Sequence, residues 1–212
     1  NLNKSKSPLC NNCFIVNNAA NYALFSKGFN KDPGPQRVIG YIGTIDDRID
    51  YALLEHLFLN IPDARFVFVG RIMSAQGQKV LEKYPNVVIE GARAPEELPA
   101  YLKTFSAGII PFINDTFTNC IYPMKINEYL AAGLPVISTD FGDMSEFKDV
   151  ISMVNAGDKE GFLQHTLLET EADSMAKRQR RQQIAQGNTW AKRAEELSAA
   201  IRRIEQHLKT PD

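Results

Sequence analysis

Between residues 37 and 154 the chain repeats one pattern: a short apolar run closed by glycine, proline or a polar residue, then a stretch with helical spacing. The runs are Arg37-Val-Ile-Gly-Tyr-Ile-Gly43, Arg65-Phe-Val-Phe-Val-Gly70, Asn86-Val-Val-Ile-Glu90, Ser106-Ala-Gly-Ile-Ile-Pro111, Leu134–Ser138 and Val150–Val154. Each is apolar at successive positions rather than at alternate ones, so both faces must be covered. Their recurrence about every 25 residues, with helical patterns between, calls for βαβ units and a parallel sheet.

Right-handed crossovers then make the fold class α/β, a doubly wound, Rossmann-like parallel sheet of about six strands. The intervening helices are expected near 49–58, 74–84 and 95–103. After residue 158 the chain reads as helical, near 159–170, 171–186 and 189–208, with Gly187-Asn188 as the break and Thr189 as the cap of the last helix. The domain reading is a connecting segment over 1–36, a Rossmann-like domain over 37–187 and a C-terminal helix over 188–212. The tail carries Arg178, Arg180, Arg181, Lys192, Arg193, Arg202 and Arg203. A solvated helix face is the expected use of these cations, with peripheral contact to anionic lipid headgroups as the sharper alternative.

Charge narrows the partners. With 24 basic and 25 acidic residues there is no global field to gather DNA or RNA, so no nucleic-acid partner is expected. No run is long and apolar enough for a membrane span, and no apolar signal core follows the polar NLNKSKSP, which points to a cytoplasmic protein. Cys10 and Cys13 have zinc-knuckle or redox spacing, but no second Cys/His pair completes a four-ligand site, and His56, His165 and His207 stand singly. No metal is expected, and the thiols read as reduced.

In such a sheet ligands bind beyond the carboxyl ends of the strands. The loops there are Gly43–Arg48, Gly70-Arg71, Gly91-Ala92-Arg93, Phe112–Tyr122 and Ser138–Asp143. Arginines just past glycine turns suit a phosphate or diphosphate, although any one of them is more often a surface residue paired with a nearby acid. The stretch YPMKINEYLAAGLPVIS, residues 122–138, is the most informative. Pro123 fits the first helical position, which leaves Tyr122 as a poor N-cap and the N–H groups of Met124 and Lys125 without an evident partner. An uncapped helix start at the ligand edge favours an anion, and Lys125 adds a full charge. Glu128 lies one turn on. Spacing alone slightly favours an i,i+3 ion pair with Lys125, worth about 0.2–0.5 kcal/mol. A buried carboxylate that accepts sugar hydroxyls is the functional reading.

These stretches together resemble the C-terminal, donor-binding half of a GT-B glycosyltransferase of the large group-1 (family 4-type) class. The likeness runs over about residues 37–208 in VIGYIGTIDDRIDYALL, PDARFVFVGR, NVVIEGARAPEELPAYLKTFSAGIIPF, YPMKINEYLAAGLPVIST and NTWAKRAEEL. P-x-K-x-x-E-Y-L-A-x-G-x-P-V is its most specific piece, and IVNNAANYALF resembles the crossover between the two domains of the class. The resemblance implies a retaining sugar transfer from a nucleotide-diphosphate sugar, a UDP- or GDP-sugar, in polysaccharide or glycoconjugate synthesis, with no further cofactor. It implies that Glu128 holds the donor ribose and that Gly43, Thr44, Arg48, Arg71 and Lys125 surround the diphosphate. It also implies that Gly91, Ala92 and Arg93 lie by the base, and that residues 118–122 face the sugar. Arg48, Lys125 and Glu128 would carry the chemistry, with Cys120, Tyr122 and Met124 among the donor contacts. An N-terminal acceptor-binding domain would lie outside this sequence, which does not begin with methionine.

Many relatives have two glutamates eight positions apart, and the first of those positions is Cys120 here. A non-catalytic nucleotide-sugar-binding or interaction subunit is therefore the main alternative. A nicotinamide dehydrogenase would need a G-x-G-x-x-G turn that Gly40-Tyr-Ile-Gly43-Thr-Ile does not supply. A phospho-receiver would need an aspartate after the third strand, where Glu90-Gly91 stands, and a lysine after the fifth, where Ser138-Thr139-Asp140 stands.

Overall fold

The six apolar runs become six strands of one parallel sheet. In the computed structural model, which describes residues 15–32 and 34–209 with side chains to Glu205, they are β1 (Val38–Ile42), β2 (Arg65–Val69), β3 (Val87–Gly91), β4 (Ala107–Ile110), β5 (Val136–Thr139) and β6 (Ser152–Val154). Every residue of β1, β4 and β5 is buried, whereas β3 is half-buried along its whole length. Central strands are covered on both faces and an edge strand is not, which explains why the innermost runs are the most apolar.

The strand order is β3-β2-β1-β4-β5-β6. From β1 the chain steps outward to β2 and β3, then crosses back to β4 and proceeds the other way. The crevice beyond the ends of β1 and β4 is thus the point where the order reverses, the usual ligand position in such sheets. The helices are α1 (Tyr22–Phe25), α2 (Tyr51–Asn60), α3 (Ala75–Glu82), α4 (Leu98–Leu102), α5 (Met124–Ala131), α6 (Lys159–Glu171), α7 (Met175–Gly187) and α8 (Trp190–Lys209). The Asp50, Ser74, Asp158 and Ser174 side chains cap α2, α3, α6 and α7 by accepting a backbone N–H of the first turn. Thr189 Oγ1 does the same for Lys192 at the start of α8, as the break at Gly187-Asn188 predicts.

The structure adds to one expectation and changes another. Residues 19–30 are packed onto the domain: Ala19, Ala20 and Phe25 are buried, and Phe29 lies against Gly133. The basic tail is not uniformly a solvated face. Arg178, Arg181 and Arg193 are buried, and Asp173 takes a 2.6 Å contact from each of Arg178 and Arg181. Arg178 also donates to Asn30 O at 2.6 Å, and Arg181 to Gly133 O at 3.3 Å. These arginines fasten α7 to α5 and to the N-terminal stretch because a buried carboxylate and free carbonyls meet them there. Cys10 and Cys13 lie outside the described residues. No described helix is long and apolar enough to cross a membrane.

Candidate functional site

Gly43 ends β1 with a φ of 136°, and its loop is tied to both neighbouring strand exits. Gly43 N–H donates to Val69 O at 2.9 Å and Ile45 N–H to Arg71 O at 2.9 Å, on the β2 side. On the β4 side, Asp50 N–H donates to Pro111 O at 2.8 Å and Ile113 N–H to Arg48 O at 2.7 Å. A Cβ on Gly70 would stand 1.9 Å from Gly43 O, so the glycine lets the two loops touch. The backbone around the crevice is held before any ligand arrives.

Helix α5 enters this crevice from the β4 loop. Tyr129, fully buried, accepts the Ile42 N–H through its hydroxyl at 2.8 Å, and its ring fills the space that a Cβ on Gly108 would occupy. One side chain therefore fixes α5 against the end of β1 and the face of β4. The helix begins one residue later than its sequence predicts: Pro123 is the N-cap, with φ −80° and ψ 98° and no side-chain cap. The cause lies at Tyr122, whose ring packs on Phe147 with centroids 5.9 Å apart. Its hydroxyl bonds Glu146 and accepts from Asn127 Nδ2, which draws the chain off the helix axis. The consequence survives the shift, because Met124 and Lys125 still open the helix without a capping side chain.

Lys125 and Glu128 do not form the expected ion pair. Among the described residues neither head takes a side-chain hydrogen bond or ion pair, although each feels the other's charge. The Lys125 chain lies over Gly43, where a Cβ would stand 2.3 Å from its Cε. Its ammonium sits 5.5 Å from the Tyr41 ring centroid and 5.4 Å from that of Phe112. Burial, then the charge of Arg48, lowers the affinity of Lys125 for its proton, with Glu128 and Asp46 opposing. Burial likewise raises the Glu128 carboxyl above its ordinary value, with Lys125 opposing. Two opposite charges thus meet at the crevice, half-buried and with no hydrogen-bonding side chain on either among the described residues, an arrangement that is costly unless something else completes it.

Arg48 is the third charge. It gives Nε to Asp46 Oδ1 at 2.8 Å and Nη2 to Oδ2 at 2.5 Å, and its guanidinium stacks 5.2 Å from the Phe112 centroid. Burial works against the Asp46 carboxylate, but the hydrogen bonds from Arg48 outweigh it and hold its pKa down. Asp46, Tyr41 and Phe112 are the components that sequence reasoning missed. The Asp-x-Arg spacing across the turn was the available signal for the first, whereas the two aromatic supports become visible only in three dimensions.

The structure therefore gathers Gly43, Thr44, Arg48, Lys125 and Glu128 at one crevice, with exposed Arg71 on the adjoining loop. Gly91, Ala92 and Arg93 follow the edge strand β3. Arg93 is engaged by Tyr101 Oη at 2.7 Å and Glu90 at 3.2 Å, while the Cα of Gly91 faces open space. Exposed Met124 stands at the start of α5. Cys120 is exposed, with Sγ 3.4 Å from Thr116 O. With Tyr122 it lines a separate cleft of about 390 Å³ that Val16 and Ser145 also border and that Lys125 and Glu128 do not.

A doubly wound sheet with this crevice defines a class of half-domain, and comparison with known proteins gives the family. The profile described as glycosyl transferases group 1 matches residues 36–169, and the chain belongs to that family. The Bacillus subtilis (strain 168) protein TuaH, provisionally named a teichuronic acid biosynthesis glycosyltransferase, is 32% identical over 145 residues, 63% of this chain and 36% of its own length. A glycosyltransferase from Rickettsia africae superposes with a TM-score of 0.71 at 11% identity, over 88% of this chain and 56% of its own. The Anabaena protein HepE, solved with UDP and glucose, gives 0.64 at 13% identity, over 79% and 48%. The sheet is thus the fold of one half of a GT-B glycosyltransferase. This chain spans about a third of the curated relative and about half of these solved chains.

Proposed function

We propose that this chain is the donor-binding half of a glycosyltransferase whose whole form moves a sugar from a nucleotide-diphosphate sugar to an acceptor, with retention, in polysaccharide or glycoconjugate synthesis. The observation that carries the reading is the pairless Lys125 and Glu128 at the uncapped start of α5. A diphosphate would neutralise Lys125 and take the free N–H groups of the first turn, and ribose hydroxyls would satisfy Glu128. Arg48 and Arg71, with the backbone at Gly43 and Thr44, complete the diphosphate seat. Preorganised cations there favour a departing diphosphate, the main chemical demand of the reaction.

The nucleobase in this reading lies along Gly91, Ala92 and Arg93 through backbone groups, since the Arg93 head is already engaged. The sugar faces the exposed part of the loop over residues 118–122 and Met124, beside Cys120, while Thr118 is buried on Asp115 and shapes the loop from behind. Residues 37–187 form the nucleotide-sugar domain, residues 1–36 the link to an acceptor domain, and 188–212 the closing helix. No metal or cofactor is invoked. The protein works in the cytoplasm, with exposed cations such as Arg180 and Arg202 available for peripheral membrane contact. HepE's complex with UDP supports a uridine donor, and GDP is the other nucleotide to try.

Titration calorimetry with UDP and GDP tests the proposal. Binding in the millimolar range or tighter is expected for one of them, weakened about tenfold by Lys125→Ala, the scale of one lost charge-assisted contact. No heat from either nucleotide at millimolar concentration overturns it.

A further inference from the structure

Asp46 takes the Nε and one Nη2 N–H of Arg48, one edge of the guanidinium, in the two-point geometry that a phosphate also uses. Both side chains remain accessible, at 25% and 24% exposure, so the pair is not sealed in the core. Its backbone is also held from outside the pair, because Ile45 and Ile113 tie the loop to β2 and β4. The charges that meet at the crevice are Arg48 and Lys125 against Asp46 and Glu128, and Asp46 and Lys125 are close enough to sense each other. A diphosphate that enters beside Lys125 therefore meets a cation already engaged and a carboxylate of its own sign.

Building on the nucleotide reading above, we propose that Asp46 is an internal stand-in for phosphate. It holds the Arg48 fork before the donor binds, yields it to the diphosphate, and retakes it as the nucleoside diphosphate leaves. It thereby sets the affinity for product and hastens release. A carboxylate that merely aims Arg48 at the ligand would have the opposite effect on binding, so the sign of one substitution separates the two roles.

Asp46→Asn removes the charge and keeps the Oδ1 that accepts the Arg48 N–H across the turn. Asp46→Ser keeps a shorter acceptor and serves if the first variant melts early. Titrated with UDP and GDP, the 212-residue chain carrying either substitution should bind the favoured nucleotide about fivefold more tightly, the net scale of one hydrogen bond that Arg48 is freed to give the diphosphate. Stopped-flow dissociation should slow in proportion. In an Arg48→Met background the same change at Asp46 should alter Kd by less than about twofold, because the shared partner is gone. Unchanged or weaker binding, or a gain that persists without Arg48, overturns the stand-in role. If Lys125→Ala weakens the nucleotide and Asp46→Asn does not tighten it, only this inference falls. If wild type and Lys125→Ala bind alike, or neither binds, the site reading falls with it.

Discussion

Lys125 and Glu128 stand three residues apart on one helix, and a free helix would let them pair. Here the lysine stem turns over Gly43 toward two aromatic rings, while the carboxylate stays behind in low dielectric. For Glu128 the folded protein holds the proton more tightly than the unfolded chain does. Above the ordinary value of 4.5 the native state therefore carries more protons, and its contribution to stability falls as pH rises from there. Glu128→Gln should consequently melt at or above the wild-type temperature at pH 7, with the difference vanishing below about pH 4, and bind UDP or GDP more weakly. Melting curves from pH 4 to 8 beside calorimetry check this. A drop of several degrees with binding intact would instead assign Glu128 to the scaffold.

At the scale of elements, local chemistry is legible where it acts within a few residues. Thr189 caps α8 as its position predicts, and the φ of 75° at Gly133 suits the stop after α5. Contacts between distant elements are not legible in this way. Arg178 and Arg181 read as solvated cations on α7, yet both are buried on Asp173, because α7 docks on α5. Charge periodicity along one helix says nothing about which carboxylate another segment will bring. Asp173→Asn takes the counter-ion from buried Arg178 and leaves Arg181 with Glu169 at 3.3 Å, and should cost about 3 kcal/mol. Urea denaturation measures the loss, and nucleotide affinity of the folded fraction should stay within about twofold, since the site lies elsewhere. A loss below about 1 kcal/mol would mean that Glu169 and the carbonyls of Asn30 and Gly133 suffice for these arginines.

For the molecule as a whole, the sheet's layering sets where opening begins. β1, β4 and β5 are buried throughout and flanked by strands on both sides, whereas β3 and β6 are edges. Hydrogen exchange should therefore leave the amides of β1, β4 and β5 protected longest and release those of β3 and β6 earlier. Uniform protection across the six strands would contradict this ordering. The same arrangement puts the Gly91–Arg93 loop at the edge of the sheet and the Gly43–Arg48 loop at its centre.

The residues alone determined the class of fold, the glycine-closed strand exits and an uncapped helix start beside Lys125, because β-branched runs, turns and caps act over short stretches of chain. They also pointed to Gly43, Arg48, Lys125 and Glu128, since an α/β sheet sends its strand exits to one edge whatever its strand order. Only the tertiary structure decided that Lys125 and Glu128 stay apart, that Asp46 holds Arg48, that Tyr122 delays the helix to Met124, and which arginines are buried. Each of these depends on a side chain from another strand or helix, and the energy of a charge is set by what surrounds it rather than by its neighbours in sequence.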